Sequence, residues 1–169
     1  MHSLLRLQKI LIRIEEYIAA WLLIAMTAVV FWGILERFVI KAGFGFTDEL
    51  SRYISIWAVF FGGCLGVVKN AHIGVEVFVK PLPQRVQRPL AVLANGLCMI
   101  FMGLTAWYGW EYFLRLGKTS QTSPAMEIPM YLVFMAVPIG CALMCLHYLV
   151  LSAVIATGGG MENSPENPV

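Results

Sequence analysis

Tyr17-Ile18-Ala19-Ala20-Trp21-Leu22-Leu23-Ile24-Ala25-Met26-Thr27-Ala28-Val29-Val30-Phe31-Trp32-Gly33-Ile34-Leu35 runs for nineteen residues without a charge and stops at Glu36-Arg37. At about 1.5 Å of rise per residue, a helix of this length covers about 28 Å, close to the ~30 Å hydrocarbon core of a bilayer. Three more such runs follow. Residues 53–68 lie between Arg52 and Lys69, slightly short of the core, with Leu50 and the stem of Arg52 able to extend them. Residues 89–110 begin on Pro89, a residue suited to a helix start, and the fourth run covers about 128–155. Pro138 inside that run predicts a kink, since proline lacks a backbone donor and crowds the preceding turn. The expected fold is an all-α membrane protein with four transmembrane helices near 17–38, 48–69, 89–113 and 128–155, forming one membrane domain over residues 17–156.

Composition agrees. Of the 169 residues, 59% are hydrophobic and 13% are charged, and the mean hydropathy is +0.76. Soluble domains carry about 25% charged residues, so too little polar surface is left here to coat a globule. A disordered chain, a collagen-like chain and an ordinary cytosolic enzyme are excluded. Four spans and their loops leave no room for a separate soluble domain. The net charge of +2 implies no polyanionic or nucleic-acid partner. Cys64, Cys98, Cys141 and Cys145 all fall in apolar stretches without a C-x-x-C, and read as small packing residues.

The basic residues suggest an orientation. Four spans put both termini on one side, with Arg6, Lys9, Arg13, Lys69, Lys80, Arg85 and Arg88; the other side holds Arg37, Lys41, Arg52, Arg115 and Lys118. This bias favours both termini in the cytoplasm. The first run is long enough to span and no A-x-A-like site follows it, so it is expected to stay in the membrane rather than be cleaved. Residues 4–14 place Leu4, Leu7, Leu11 and Ile14 on one stripe, apart from Arg6, Lys9 and Arg13. Two readings fit segment 1–16: a cationic amphipathic helix lying at the interface, or the protruding start of a longer first helix. Residues 73–79 read as a surface-lying helical turn ended by Pro81-Leu82-Pro83. The tail 157–169, with Gly158-Gly159-Gly160 and its prolines, reads as disordered.

Chemistry is sparse. A chain that carries ions itself usually keeps an ionisable residue deep in a span. Here every Asp, Glu, Lys and Arg is expected in a loop or within about a turn of a span end. Thr27, Ser55, Asn95, Thr105 and His147 are the polar residues well inside, better suited to bonding between helices than to a transport path. The three histidines supply no pair of haem ligands at matched depth, and His147 reads as a packed or snorkelling side chain. There is no H-E-x-x-H, G-x-S-x-G or phosphate loop. Cys141 and Cys145, four residues apart, lack third and fourth metal ligands nearby in sequence. No cofactor, metal or catalytic residue is expected.

Packing signals are stronger. Ala58, Gly62 and Gly66 recur every four residues in span two, with Gly63 alongside, and Ala136 and Gly140 echo the pattern in span four. Small residues so spaced admit a close neighbour. That neighbour is either another helix of this chain or a larger membrane partner. Before span two, Thr47 or Asp48 can cap the helix, and Glu49 and Arg52 are spaced to pair. Their plain role is a capped, snorkelling helix end; the functional alternative is a polar lock between subunits. Beyond the span, His72 and Glu76 are four apart and can either bond or face headgroups.

The run Asp48-Glu49-Leu50-Ser51-Arg52-Tyr53, then Trp57, Gly62-Gly63, and His72-Ile73-Gly74-Val75-Glu76 resembles the small membrane subunit of tripartite ATP-independent periplasmic (TRAP) transporters. So does Gln121-Thr122-Ser123-Pro124-Ala125-Met126-Glu127-Ile128-Pro129-Met130 entering span four. The match runs from about residue 14 to 156. Glu76 departs mildly, where the pattern often has Asp, and Glu36 is an extra acid without an assigned place. The resemblance implies a non-catalytic permease subunit of a sodium-driven importer of organic acids in a bacterial inner membrane. A large, elevator-type membrane subunit would be the obligate partner and hold substrate and sodium. A periplasmic binding protein would visit transiently, and lipids would surround the rest. This chain would brace the large subunit and help receive the binding protein. Glu49, Arg52, Trp57, Ala58, Gly62, Gly66 and His72 are the candidate partner contacts.

Two other classes share this size. A four-helix membrane thiol oxidoreductase would need cysteine pairs in its outer loops, which hold none. A small proton-coupled exporter would need a mid-span carboxylate, and Glu36 and Glu111 lie too near the ends. The transported substrate would be set by other chains, leaving a C4-dicarboxylate, a sialic acid, another sugar acid or a sulfonate open.

Overall fold

The computed structural model describes residues 2–41, 45–68, 84–119 and 121–156. Helix α1 (His2–Leu35) has no proline and no glycine before Gly33, and runs unbroken for 34 residues. At about 1.5 Å each that is about 51 Å, well beyond a ~30 Å core. The basic start of the chain and the first span are therefore one continuous helix. After Leu35 the helix widens into a π-helical turn (Glu36–Ile40). Lys41 closes it in the left-handed region (φ 55°), its N–H bonding the Glu36 carbonyl.

Helix α2 (Gly45–Val68) returns beside α1, and α3 (Gln84–Thr119) follows. Pro89 sits six residues into α3 rather than at its first turn. A short helix α4 (Met130–Phe134) then breaks at Met135, and α5 (Ala136–Ala156) completes the chain. The break lies three residues before Pro138, where the absent proline N–H leaves the Phe134 carbonyl without its helical partner. Among the described residues, four stretches are long and apolar enough to cross a membrane: Gln8–Ile40, Gly45–Val68, Val92–Thr119 and Met130–Ala153.

The helices lie in a row rather than a closed bundle. In spatial order they run α1, α2, α5, α3, with the most extensive contact between α3 and α5. The core is Cys64, Val67, Met144 and Tyr148, joined by Phe60, Cys98, Met99, Met102 and Leu143, where α2, α3 and α5 meet. The outer helices are covered on one side only. In the most apolar window of each span, 44% of the last is buried, against 6% of the first and none of the third. Tyr17, Trp21, Ile24, Phe31 and Phe38 are all exposed on α1 and its π turn, at steps of three, four and seven residues that keep them on one stripe.

Glycine allows the closest approaches. A Cβ on Gly140 of α5 would meet Phe60 Cβ at 2.6 Å, and one on Gly33 would meet Thr47 Cγ2 at 3.0 Å. Such contacts let helices approach until backbone and side chain touch, the usual means of association in lipid.

Candidate functional site at the two membrane edges

Two polar clusters hold the row, one at each edge of the apolar zone. At the edge where α1 ends and α2 begins, the π turn brings Glu36 inward. Trp32 Nε1–H donates to Glu36 Oε1 at 2.6 Å, and Thr47 Oγ1–H donates to Oε2 at 2.6 Å. Glu36 and Thr47 are both buried. This gives the extra acid of the sequence a place: it joins α1 to the first turn of α2. Arg37 and Asp48 pair across the same junction at 3.2 Å, with both side chains largely exposed. Such a pair contributes only about 0–1 kcal/mol.

Glu49 lies one position further along. Its carboxylate accepts the backbone N–H of Ala125 at 3.2 Å and of Met126 at 3.1 Å. The expected Glu49–Arg52 pair does not form among the described residues. Backbone amides take the carboxylate oxygens, while Arg52 points out and is exposed. The loop that supplies the amides, residues 121–129, is tightly closed. Ser123 N–H donates to Ile128 O at 2.9 Å, Glu127 N–H to Ser123 O at 3.1 Å, and Met130 N–H to Gln121 O at 2.9 Å. Thr122 and Pro129 face each other in an antiparallel bridge, and Glu127 turns the chain at φ 54°. Ser123 is buried inside the loop. Tyr53 O–H reaches Met130 Sδ at 3.7 Å. The two motifs beginning at Asp48 and Gln121 thus meet in one clasp.

At the opposite edge, Glu15 of α1 and His147 of α5 form a buried pair, each 1% exposed. His147 Nε2 lies 2.9 Å and 3.1 Å from the two carboxylate oxygens. His147 bonds between helices, as its position in an apolar run suggests. Glu15 is the surprise: it lies inside the membrane-crossing stretch Gln8–Ile40, seven residues from its start. It stands two residues before the first uncharged run, at an edge where α1 already runs as helix.

Between the edges, polar groups are satisfied locally. Thr27 donates to Leu23 O at 2.8 Å, Thr105 to Phe101 O at 2.8 Å, and Ser55 to Arg52 O at 2.7 Å. Cys64 Sγ–H points at Gly140 O at 3.6 Å, and Cys145 Sγ–H at Met99 O at 3.6 Å. All four cysteines are free thiols. Among the described residues no group of three or more His, Cys, Asp or Glu could hold a metal. Two open grooves of about 380 and 550 Å³ flank α3, lined mainly by apolar and aromatic side chains such as Trp107, Trp110, Tyr108 and Tyr112.

The candidate contact residues divide. Ala58 is buried, whereas Gly62 is exposed and a Cβ on Gly62 or Gly66 would meet nothing within 4 Å. A four-residue step overshoots a turn by about 40°, so the stripe winds from the chain's interior to its outer face. Trp57 is half-buried and stacks on Phe61 with centroids 6.2 Å apart. His72 lies outside the described residues, as does Glu76. The internal close approach falls to Gly140, and to Gly63 against Met144.

Four membrane-crossing helices in a row, uncovered at both ends and clasped at both edges, define a multi-pass membrane protein with the character of a subunit. The sequence profile described as "Tripartite ATP-independent periplasmic transporters, DctQ component" matches residues 26–157, and the chain belongs to that family. It is similar to the C4-dicarboxylate TRAP transporter small permease protein DctQ of Rhodobacter capsulatus, 28% identical over 92% of this chain and 82% of that protein. A putative TRAP transporter small permease protein of Haemophilus influenzae is 30% identical over 72% of this chain and 74% of its own. The isethionate TRAP transporter permease protein DctMQ of Oleidesulfovibrio alaskensis is 25% identical over 61% of this chain, but the match covers only 16% of that longer protein.

Proposed function

We propose that this chain is the non-catalytic small permease subunit of a sodium-coupled importer of organic anions, and that it braces a larger membrane subunit which binds substrate and sodium. The observation that carries this reading is the open row: in the most apolar windows of the first and third spans almost no residue is fully buried within the chain, and no charged residue lies between Tyr17 and Leu35, Tyr53 and Val68, or Val92 and Trp110. Lipid alone can solvate such faces, but a broad row clasped at both edges also suits a fixed wall. The long relative matched over 16% of its length supports direct contact, since the equivalent segment there belongs to one larger permease chain. Relatives named for a C4-dicarboxylate and for isethionate both carry small carboxylate or sulfonate ligands in their names, so the transported anion is assigned to other chains.

The open Gly62 and Gly66 face, with exposed Val59 beside it, is the proposed seat for a helix of the larger subunit. Arg52, Trp57, Ala58 and His72 complete that proposed contact set, with Glu49 acting through the loop it pins. The pinned loop 121–129 is proposed as the surface that receives the secreted binding protein, because a rigid edge loses little entropy on docking. The excess of Lys and Arg on the other side favours an inner-membrane orientation with both termini cytoplasmic. Thiol chemistry is not favoured, since Cys64 and Cys141 are buried and the other two half-buried. The test is affinity purification of the tagged chain from cells expressing the neighbouring permease and binding-protein genes. Stoichiometric recovery of a larger membrane protein is expected; recovery of this chain alone would end the bracing role.

A further inference from the structure

The Glu15–His147 pair joins helices that otherwise barely meet. Helix α1 packs on α2, and α5 is two places along the row. From residue 8 to 20 only Glu15 and Ala19 are buried. No α1 residue belongs to the core where α2, α3 and α5 meet. The first part of α1 therefore has few fully buried residues, and one of the two belongs to an ionisable pair with α5.

The geometry fixes how the pair is made. His147 Nε2 faces both oxygens of the Glu15 carboxyl at 2.9 and 3.1 Å, so one hydrogen on either partner closes the contact. His147 Nδ1 is left buried without a hydrogen-bond partner. The ring is held through one nitrogen alone. Within a membrane-crossing helix an acid tolerates burial only when paired, and removing either partner strands the other in a dry setting.

We infer that Glu15 and His147 form a latch that fixes the first part of α1 to the last helix, and that this part comes away when the latch opens while α2, α3 and α5 stay packed. Below Gly33 the segment has no helix breaker. It moves as a stiff arm, and the close Gly33–Thr47 approach and the Glu36 cluster at its far end remain as the pivot.

The test uses hydrogen exchange on the full chain, co-purified with its larger permease partner in nanodiscs. Natural sequence, Glu15→Ala, His147→Ala and the double variant are compared, with peptides from 8–20 as the probe and peptides from 92–119 as the internal control. Each single variant is expected to speed exchange in 8–20 about tenfold or more. The double variant should exchange no faster than either single, because both remove the same interaction. Unchanged protection of 8–20 in the single variants, or effects that add in the double, would overturn the latch. Loss of protection in 92–119 would overturn it too, since the pair would then support the whole fold rather than one arm.

Discussion

Gly140 and Gly62 look alike in sequence, two small residues in apolar helices, yet the structure assigns them opposite consequences when alanine replaces them. At Gly140 the new methyl would sit 2.6 Å from Phe60 Cβ, 2.7 Å from Cδ1 and 2.9 Å from Cγ. Ordinary carbon contacts are about 3.5–4.0 Å. Phe60 Cβ is one bond from the backbone and cannot swing aside, so α2 and α5 must part by about 1 Å. Overpacking of this kind costs about 1–3 kcal/mol, against about 1 kcal/mol gained by removing glycine from a helix. Gly140→Ala should therefore be destabilising by up to about 2 kcal/mol. Gly62→Ala meets nothing within 4 Å and should be neutral or stabilising by up to about 1 kcal/mol. The assay is SDS-titrated unfolding of the purified chain in mild detergent, followed by tryptophan fluorescence. A gap of about 2 kcal/mol between the two alanine variants is expected. Equal midpoints would refute the packing assigned to α2 and α5.

Three further outcomes follow from the clasps and the open face. Glu49→Ala leaves the Ala125 and Met126 amides without their acceptor, at a cost of about 2 kcal/mol, and limited proteolysis should nick loop 121–129 several-fold faster while cleavage elsewhere is unchanged. Glu36→Ala and Thr47→Val should each lower the SDS midpoint, and the double variant should fall short of their sum because one buried bond is lost in all three. Gly62→Leu or Gly66→Leu should leave the isolated chain folded but reduce recovery of the larger permease in affinity purification; unchanged recovery would move the seat to another face.

The helices were legible because lipid demands long uncharged runs, and runs of that length have few other uses. The break near Pro138 was legible for the same local reason, a missing donor. The clasps were not. Glu49 has an obvious partner three residues on, but its actual partners are amides 76 and 77 residues away, and a backbone N–H has no signature in sequence. Glu15 sits two residues before the first uncharged run, within a turn of the expected span end. Its pairing with His147 spans 132 positions and depends on the spatial order of the helices. The available hint was His147 itself, an imidazole in an apolar run that needs a partner. Glu36 had a hint as well, since an acid beside Trp32 and before a capping Thr47 has donors at both helical and loop spacing. The Ala58, Gly62 and Gly66 stripe was visible, but which part faces outward depends on the winding of α2 against its neighbours.

Central to the account is that this chain supports a carrier and carries nothing itself. The direct measurement is uptake of a radiolabelled C4-dicarboxylate into proteoliposomes under an inward sodium gradient, with binding protein outside, after binding of that probe by the binding protein has been verified. Three preparations are compared: the complete complex, the larger permease without this chain, and this chain alone. The account predicts uptake by the first, loss of it in the second and none in the third. Full uptake by the larger permease without this chain, or sodium-driven uptake by this chain alone, would contradict it.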